Sequence, residues 1–264
     1  MAGQRFEEQG LAGERWPGDG PPVVLLHAGV ADRRAWASVA PRLDRAALAY
    51  DRRGFGETPP ATGAFSHLDD LLAVLDAQVD GPAWLVGNSM GGALALDVAL
   101  SAPERVAGLV LIAPAVSGEP DFPEELDPGT ARLDALLGAA EDVEEVARLE
   151  AWLWLDGPLA AEGRVGGATR ELALDMNRRI LAQAGDEDAG GSGVDAWSRL
   201  EEVAVPTTVA WGELDIPELV RRCGVIGARV PGARTVALSG VAHLPALERP
   251  DEVAALIQTS TSGR

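Results

Sequence analysis

The stretch WLVGNSMGGALALDVAL, residues 84–100, constrains this chain more than any other. A short apolar run with β character meets Gly87-Asn88-Ser89-Met90-Gly91, and a longer apolar segment with helical character follows. A serine squeezed into so sharp a strand-to-helix turn takes up strained dihedrals. The positions two residues to either side must then be small, or the backbone segments collide. Gly87 and Gly91 satisfy that spacing, and Gly92 permits further close packing. The turn therefore predicts a sheet with Ser89 standing at its C-terminal edge. A helix N-terminus, with free N–H groups and the positive end of its dipole, points at the same place.

The rest of the chain fits such a sheet. Short, nearly continuous apolar runs occur at residues 23–26, 46–50, 83–86, 106–112, 207–211 and 235–238. Continuous rather than alternating apolarity predicts strands covered on both faces, as in a mostly parallel sheet. Weaker segments before Pro17 suit an antiparallel opening hairpin. Helices are expected over 33–43, 68–79, 89–101, 217–229 and 250–258. Residues 117–202 break the alternation. They open with GEPDFPEELDPG, continue through the helical LDALLGAAEDVEEVARLEAWLWL and ATRELALDMNRRILAQA, and include the acidic, Gly-rich GDEDAGGSG, expected to be a mobile loop. This stretch predicts an all-helical cap, residues 117–202, inserted into a core made of 1–116 and 203–264.

Composition narrows the partners. With 264 residues, 47% hydrophobic and 24% charged, the chain can bury a large core without disulfides or metals. A formal charge of −19 argues against nucleic acid and anionic membranes, which repel an acidic protein. All basic residues are arginine, so Schiff-base and P-loop chemistry are excluded. The lone Cys223 fits a reducing compartment. MAGQRFEEQG lacks the basic-then-apolar pattern of a secretory signal, and no apolar run approaches the roughly 18 residues of a spanning helix. A cytoplasmic protein, monomer or homodimer, is the expectation.

A serine nucleophile needs a general base, and the chain offers three histidines, His27, His67 and His243. His67 sits in a polar stretch and is expected at the surface. His27 ends the first firm strand and precedes the serine. His243, in ALSGVAHLPALERP, lies just beyond the last strand, at the sheet edge that carries Ser89. It also satisfies the chain order serine, acid, histidine. The acid belongs after the penultimate strand, where TTVAWGELDIPEL supplies Asp215, with Glu213 as a rival. Beside the imidazole it would fix the tautomer and stabilise the imidazolium. The oxyanion of a tetrahedral intermediate needs fixed donors. The N–H of Met90 is one, and the loop LLHAGVADRRAW supplies the other, assigned to Gly29 with Ala28 as rival.

LLHAG, YDRRGFGET, GNSMGG, WGELDIPE and VAHLPALERPDEV occur in the order and spacing of the α/β-hydrolase superfamily, which the chain resembles over nearly its whole length outside residues 117–202. HAGVADRRAW is similar to the esterase and lactonase branch that includes 3-oxoadipate enol-lactonases, although Ala28 stands where glycine is usual. The resemblance implies an eight-stranded, mostly parallel sheet flanked by helices, with the cap following the sixth strand. It also implies a serine hydrolase acting on a small-molecule ester or lactone through an acyl-enzyme, with no cofactor and no metal.

Arg53 and Gly54 are expected to form a structural turn and ion pair, and Asp32, Arg33 and Arg34 a solvated first helical turn. Candidate pocket residues are His27, Arg33 (able to hold a substrate carboxylate), Trp152, Trp154 and Met176, with Asn177 beside the last. Three alternatives share these residues. A C–C hydrolase of ring-cleavage dienoates and a cofactor-free perhydrolase keep the triad. A slow-turnover ligand receptor keeps the fold and is separated from an enzyme by its kcat.

Overall fold

Strands buried on both faces need helices above and below, and the computed structural model of the protein supplies them. It describes residues 3–121, 126–183 and 192–262. Eight strands form one sheet in the order β1-β2-β4-β3-β5-β6-β7-β8. The opening hairpin, β1 (Gln4–Glu8) and β2 (Leu11–Trp16), is antiparallel, and β2 runs antiparallel to β4 (Ala47–Tyr50). Parallel pairing joins β4 to β3 (Val23–Leu26), and onward to β5 (Ala83–Asn88), β6 (Val106–Ile112), β7 (Thr207–Gly212) and β8 (Arg234–Leu238).

Successive residues of one strand feed opposite cores, as the two-residue strand period requires. Val24, Leu26, Leu85 and Leu109 pack on one face with α1 (His67–Gln78), α2 (Met90–Ser101) and α6 (Pro217–Arg229). Val23, Leu25, Val86 and Val110 pack on the other with Trp36, Val39 and α8 (Pro250–Thr261). Ser66 Oγ caps α1 by accepting from the N–H groups of Leu68 and Asp69.

The helix expected over 33–43 is instead two 3₁₀ turns, Arg33–Trp36 and Ala40–Arg42. Pro41 explains the break, since it has no N–H to give and its ring obstructs the preceding turn. That first turn is not solvated either: Asp32 and Arg33 are buried.

Between β6 and β7 come α3 (Pro128–Ala139), α4 (Val143–Ala151), a π-helical turn (Trp152–Asp156), α5 (Gly167–Gln183) and a 3₁₀ turn (Trp197–Glu202), with no strand among the described residues. Asp127 and Asp142 cap α3 and α4. The loop expected at 185–193 lies mostly outside the described residues. No helix among the described residues is long and apolar enough to cross a membrane.

Because β3 sits between β4 and β5, the chain order reverses there. The C-terminal ends of β3 and β5 flank a crevice at this switch point. Ser89 and the loop after β3 both emerge into it.

Candidate active site

The turn after β5 has the geometry its glycines demand. Ser89 takes φ 53° and ψ −119°, left-handed backbone that a side chain tolerates only under constraint. A Cβ on Gly87 would lie 2.2 Å from the Gly91 carbonyl oxygen, and one on Gly91 would lie 2.3 Å from that of Leu26. The strain is held by backbone hydrogen bonds. Ser89 N–H donates to Ile112 O (3.0 Å), while Ser89 O accepts from Gly92 (2.7 Å) and Ala115 (3.1 Å). Ser89 itself is half-buried. Met90 begins α2, so its N–H has no acceptor within the helix.

Two loops meet beside this turn. Asp215 leaves β7 through Gly212, where a Cβ would strike Ala242 O at 2.2 Å, so only glycine lets the acid and histidine loops pack together. Asp215 Oδ2 accepts from His243 Nδ1 at 2.8 Å, and Oδ1 accepts from the N–H of Ile216 at 2.8 Å. Both side chains are buried, at 0% and 2% exposure, while Glu213, the rival acid, is exposed. With Nδ1 committed, Nε2 is the ring nitrogen left for a hydroxyl. Asn88, immediately before Ser89, donates through Nδ2 to the carbonyls of Ile112 (3.0 Å) and His243 (3.1 Å). This amide ties the serine turn to the histidine loop. Sequence reading passed over it as a variable position in the motif. The signal was there: a lone amide closing an otherwise apolar strand.

Comparison with known proteins decides the family. The alpha/beta hydrolase family profile matches residues 23–256. The chain belongs to the α/β-hydrolase family. It is 28% identical to the pimeloyl-[acyl-carrier protein] methyl ester esterase of Neisseria meningitidis over 91% of this chain and 93% of that one. A solved enzyme that degrades N-acyl homoserine lactones superposes with a TM-score of 0.67 at 26% identity, covering 97% of this chain and 99% of the other. The enol-lactonase of Burkholderia xenovorans shares the fold, with a TM-score of 0.75 at 19% identity over 98% of this chain and 100% of that one.

In this α/β-hydrolase the loop after β3 brings Gly29 against Met90. A Cβ on Gly29 would sit 2.6 Å from Met90 Sδ. His27 and Arg33 are placed differently from the expectation that they line a pocket. The His27 ring is 1% exposed, and backbone groups occupy both its nitrogens: Nδ1 meets Ala28 O at 2.8 Å and Nε2 accepts from Arg52 N–H at 3.1 Å. Burial and the nearby Arg52 charge hold its pKa well below the usual range, so the ring is neutral. The Arg33 guanidinium is engaged by a buried ion pair with Asp51 and by Glu57 (2.9 Å), and its remaining Nε is buried without a partner, so the head group is turned to these acids. Asp51 is pushed up to about 6 by burial, against the pull of Arg33. Arg53 pairs with Asp70 at 2.8 Å, and Gly54 has φ 81°, so the YDRRGFGET segment is a turn and ion pair as expected.

The aromatic pair separates by role. Trp152 Nε1 donates to Ala160 O at 2.9 Å, its ring lies under Arg132, and it packs on a cluster with Leu133, Leu149 and Leu219. Trp154 does face the site. Its ring centroid is 4.6 Å from that of His243, tilted by 47°, and its carbonyl accepts from His243 N–H at 3.1 Å. Met176 is fully buried among Ala28, Ala31, Leu155 and Leu244, with Sδ accepting from Asp32 N–H at 3.5 Å. Asn177, beside it, donates to Glu150 within α4 and α5. His67 is half-buried rather than at the surface, and burial plus the charges of Arg52 and Arg53 push its pKa down to about 4. A cleft of about 580 Å³ opens at the far end of the strands, beside Arg15, Trp16, Pro22 and Ala47. It holds none of the residues that surround Ser89.

Proposed function

We propose that this α/β-hydrolase cleaves a small carboxylic ester or lactone through an acyl-enzyme. The buried 2.8 Å contact between His243 and Asp215 carries the reading, because Asn88 ties the same loop to the strained serine turn. Ser89 Oγ attacks the substrate carbonyl carbon as His243 Nε2 takes its proton. The tetrahedral oxyanion is met by the N–H groups of Met90 and Gly29. His243 returns the proton to the leaving alkoxide, which departs as the alcohol. A water then gives its proton to His243, attacks the acyl carbon, and the acid leaves as Ser89 recovers its hydrogen. Asp215 holds the ring in the Nδ1–H tautomer and balances the imidazolium. Among proteins similar to this chain, one is named a methyl ester esterase and another an N-acyl homoserine lactone degrading enzyme, and the first name supports action at a carboxylic ester.

Residues 117–202 act as the cap. One apolar cluster joins Ala28, Ala31 and Ala35 of the β3 loop, Leu155, Ala173 and Met176 of the helical segment, and Leu244 beside His243. That roof excludes bulk water and favours small or medium apolar acyl groups. The test is a panel of short acyl esters and lactones with wild type and Ser89→Ala, following the quenched reaction by intact mass. A mass increase equal to the acyl group, absent in Ser89→Ala together with turnover, is expected. Full turnover by Ser89→Ala sinks the reading. Loosening the cap without any change in the acyl-length profile sinks its assigned role.

A further inference from the structure

Three arginines gather around the loop after β4, and two of them are neutralised. Arg33 pairs with Asp51, and Arg53 pairs with Asp70. Arg52 lies between those partners in sequence, is 3% exposed, and makes no ion pair among the described residues. Its Nε has no hydrogen-bond partner, and its guanidinium lies 4.7 Å from the Phe55 ring centroid. Burial lowers its pKa to about 10, which leaves it charged at neutral pH. A buried cation without a carboxylate carries a large desolvation penalty, which a neighbouring acid could have relieved.

The polar contacts of this cation converge on one peptide. Arg52 Nη2 donates to Ala28 O at 3.2 Å, and His27 Nδ1 approaches the same oxygen at 2.8 Å. Arg52 N–H donates to His27 Nε2 at 3.1 Å, which assigns the imidazole proton to Nδ1 and gives it to Ala28 O, with Arg52 Nη2 also 3.2 Å from Nδ1. Within a trans peptide the C=O and the following N–H point in opposite directions. Two side-chain donors, joined by the Ala31 N–H at 3.4 Å, hold the Ala28 carbonyl inward and therefore aim the Gly29 N–H outward, toward the crevice.

We infer that Arg52 and His27 are positioning residues that lock the Ala28–Gly29 peptide, so that the Gly29 N–H is preset for the oxyanion while the unpaired Arg52 charge deepens the local positive potential. This rests on the reading of Gly29 as an oxyanion donor. A carboxylate beside Arg52 would cancel the field, which gives its lack of a counter-ion a purpose. Because Arg52 acts through the peptide, it alters the transition state and leaves ground-state binding alone.

The experiment uses the full chain with Arg52→Met and Arg52→Lys, on the best ester from the panel. Three quantities are read: kcat/KM, the affinity for a trifluoromethyl ketone whose adduct carries the oxyanion, and the Kd of the intact ester measured in a Ser89→Ala background. Arg52→Met is expected to lower kcat/KM and ketone affinity together by about 10²-fold, the scale of one lost oxyanion donor. Ester Kd stays within about threefold, the reading of an effect confined to the transition state. Arg52→Lys keeps the charge without the fork and recovers part of both losses. It also serves as the test should Arg52→Met fail to fold, with parallel losses of about tenfold expected on the same grounds. Rate and ketone affinity unchanged in a folded variant overturn the inference, as does an equal loss in ester Kd. Activity surviving in Ser89→Ala overturns the ester-hydrolase reading instead, so the two failures are distinguishable.

Discussion

Ser89 holds a backbone conformation that helix N-caps do not normally use, at φ 53° and ψ −119°. Left-handed dihedrals cost a residue with a Cβ about 1–3 kcal/mol, and glycine escapes that cost. Ser89→Gly is therefore expected to be more stable than Ser89→Ala by about 1 kcal/mol in urea unfolding, although glycine also loosens the unfolded chain. The reverse order means the turn is not strained in solution. At Asp215 the issue is orientation. Asparagine in its place presents an amide to His243 Nδ1 and favours the wrong tautomer, which leaves Nε2 protonated and unable to accept from Ser89. Asp215→Asn is expected to lower kcat by about 10⁴-fold with its melting temperature little changed. Activity within tenfold of wild type assigns the acid role elsewhere.

At the scale of elements, legibility followed burial. β3, buried at every position, was bounded in the sequence to the residue, because four apolar residues between turn formers leave little choice. The exposed β1, QRFEE, carries a far weaker signal, enough to suit a hairpin before Pro17 but not to bound its strands, which the pairing with β2 does. That His243 would meet Asp215 on a loop tied to the Ser89 turn was legible because one turn motif fixes the sheet edge and the chain order fixes the rest. Contacts between segments distant in sequence were not. Nothing local marks Arg33 as the partner of Asp51, or Arg164 as the fastening between the helical segment and the histidine loop. Arg164 donates to the carbonyls of Leu155 (2.7 Å), Asp156 (2.7 Å) and Gly240 (3.0 Å) and pairs with Glu248 at 2.6 Å. Glu248 in turn accepts from Ala242 N–H at 2.8 Å, one residue from His243. Arg164→Met strands those carbonyls and leaves a buried carboxylate, so a loss of about 3 kcal/mol is expected. A change in acyl-length preference should accompany it as the π-helical turn shifts over His243. A stability loss without any change in preference detaches the cap from selectivity.

For the molecule as a whole, 41 acidic against 22 basic residues suggest that acid should relieve repulsion and stabilise the fold. The buried ionisable groups divide on that point. Asp51, raised to about 6 by burial, binds its proton more readily folded than unfolded, so it makes the fold more stable as pH falls from about 6 toward 4. His67 acts in the opposite sense. Burial and the charges of Arg52 and Arg53 hold it near 4 in the folded chain, whereas an unfolded histidine titrates near 6.5. Between those values the unfolded chain takes up a proton that the folded chain refuses, and stability falls with falling pH. His27, lowered for the same reason of burial, adds to that fall. Removing one histidine should therefore alter the slope by up to one proton, about 1.4 kcal/mol per pH unit at 25 °C. His67→Asn, compared with wild type by urea unfolding at intervals from about pH 8.5 to about pH 4.5, is expected to lose less stability on acidification, with the two curves parallel above about pH 7. Parallel curves throughout would mean that residue 67 meets solvent freely, and that the electrostatics of this end of the sheet are set by the net charge alone.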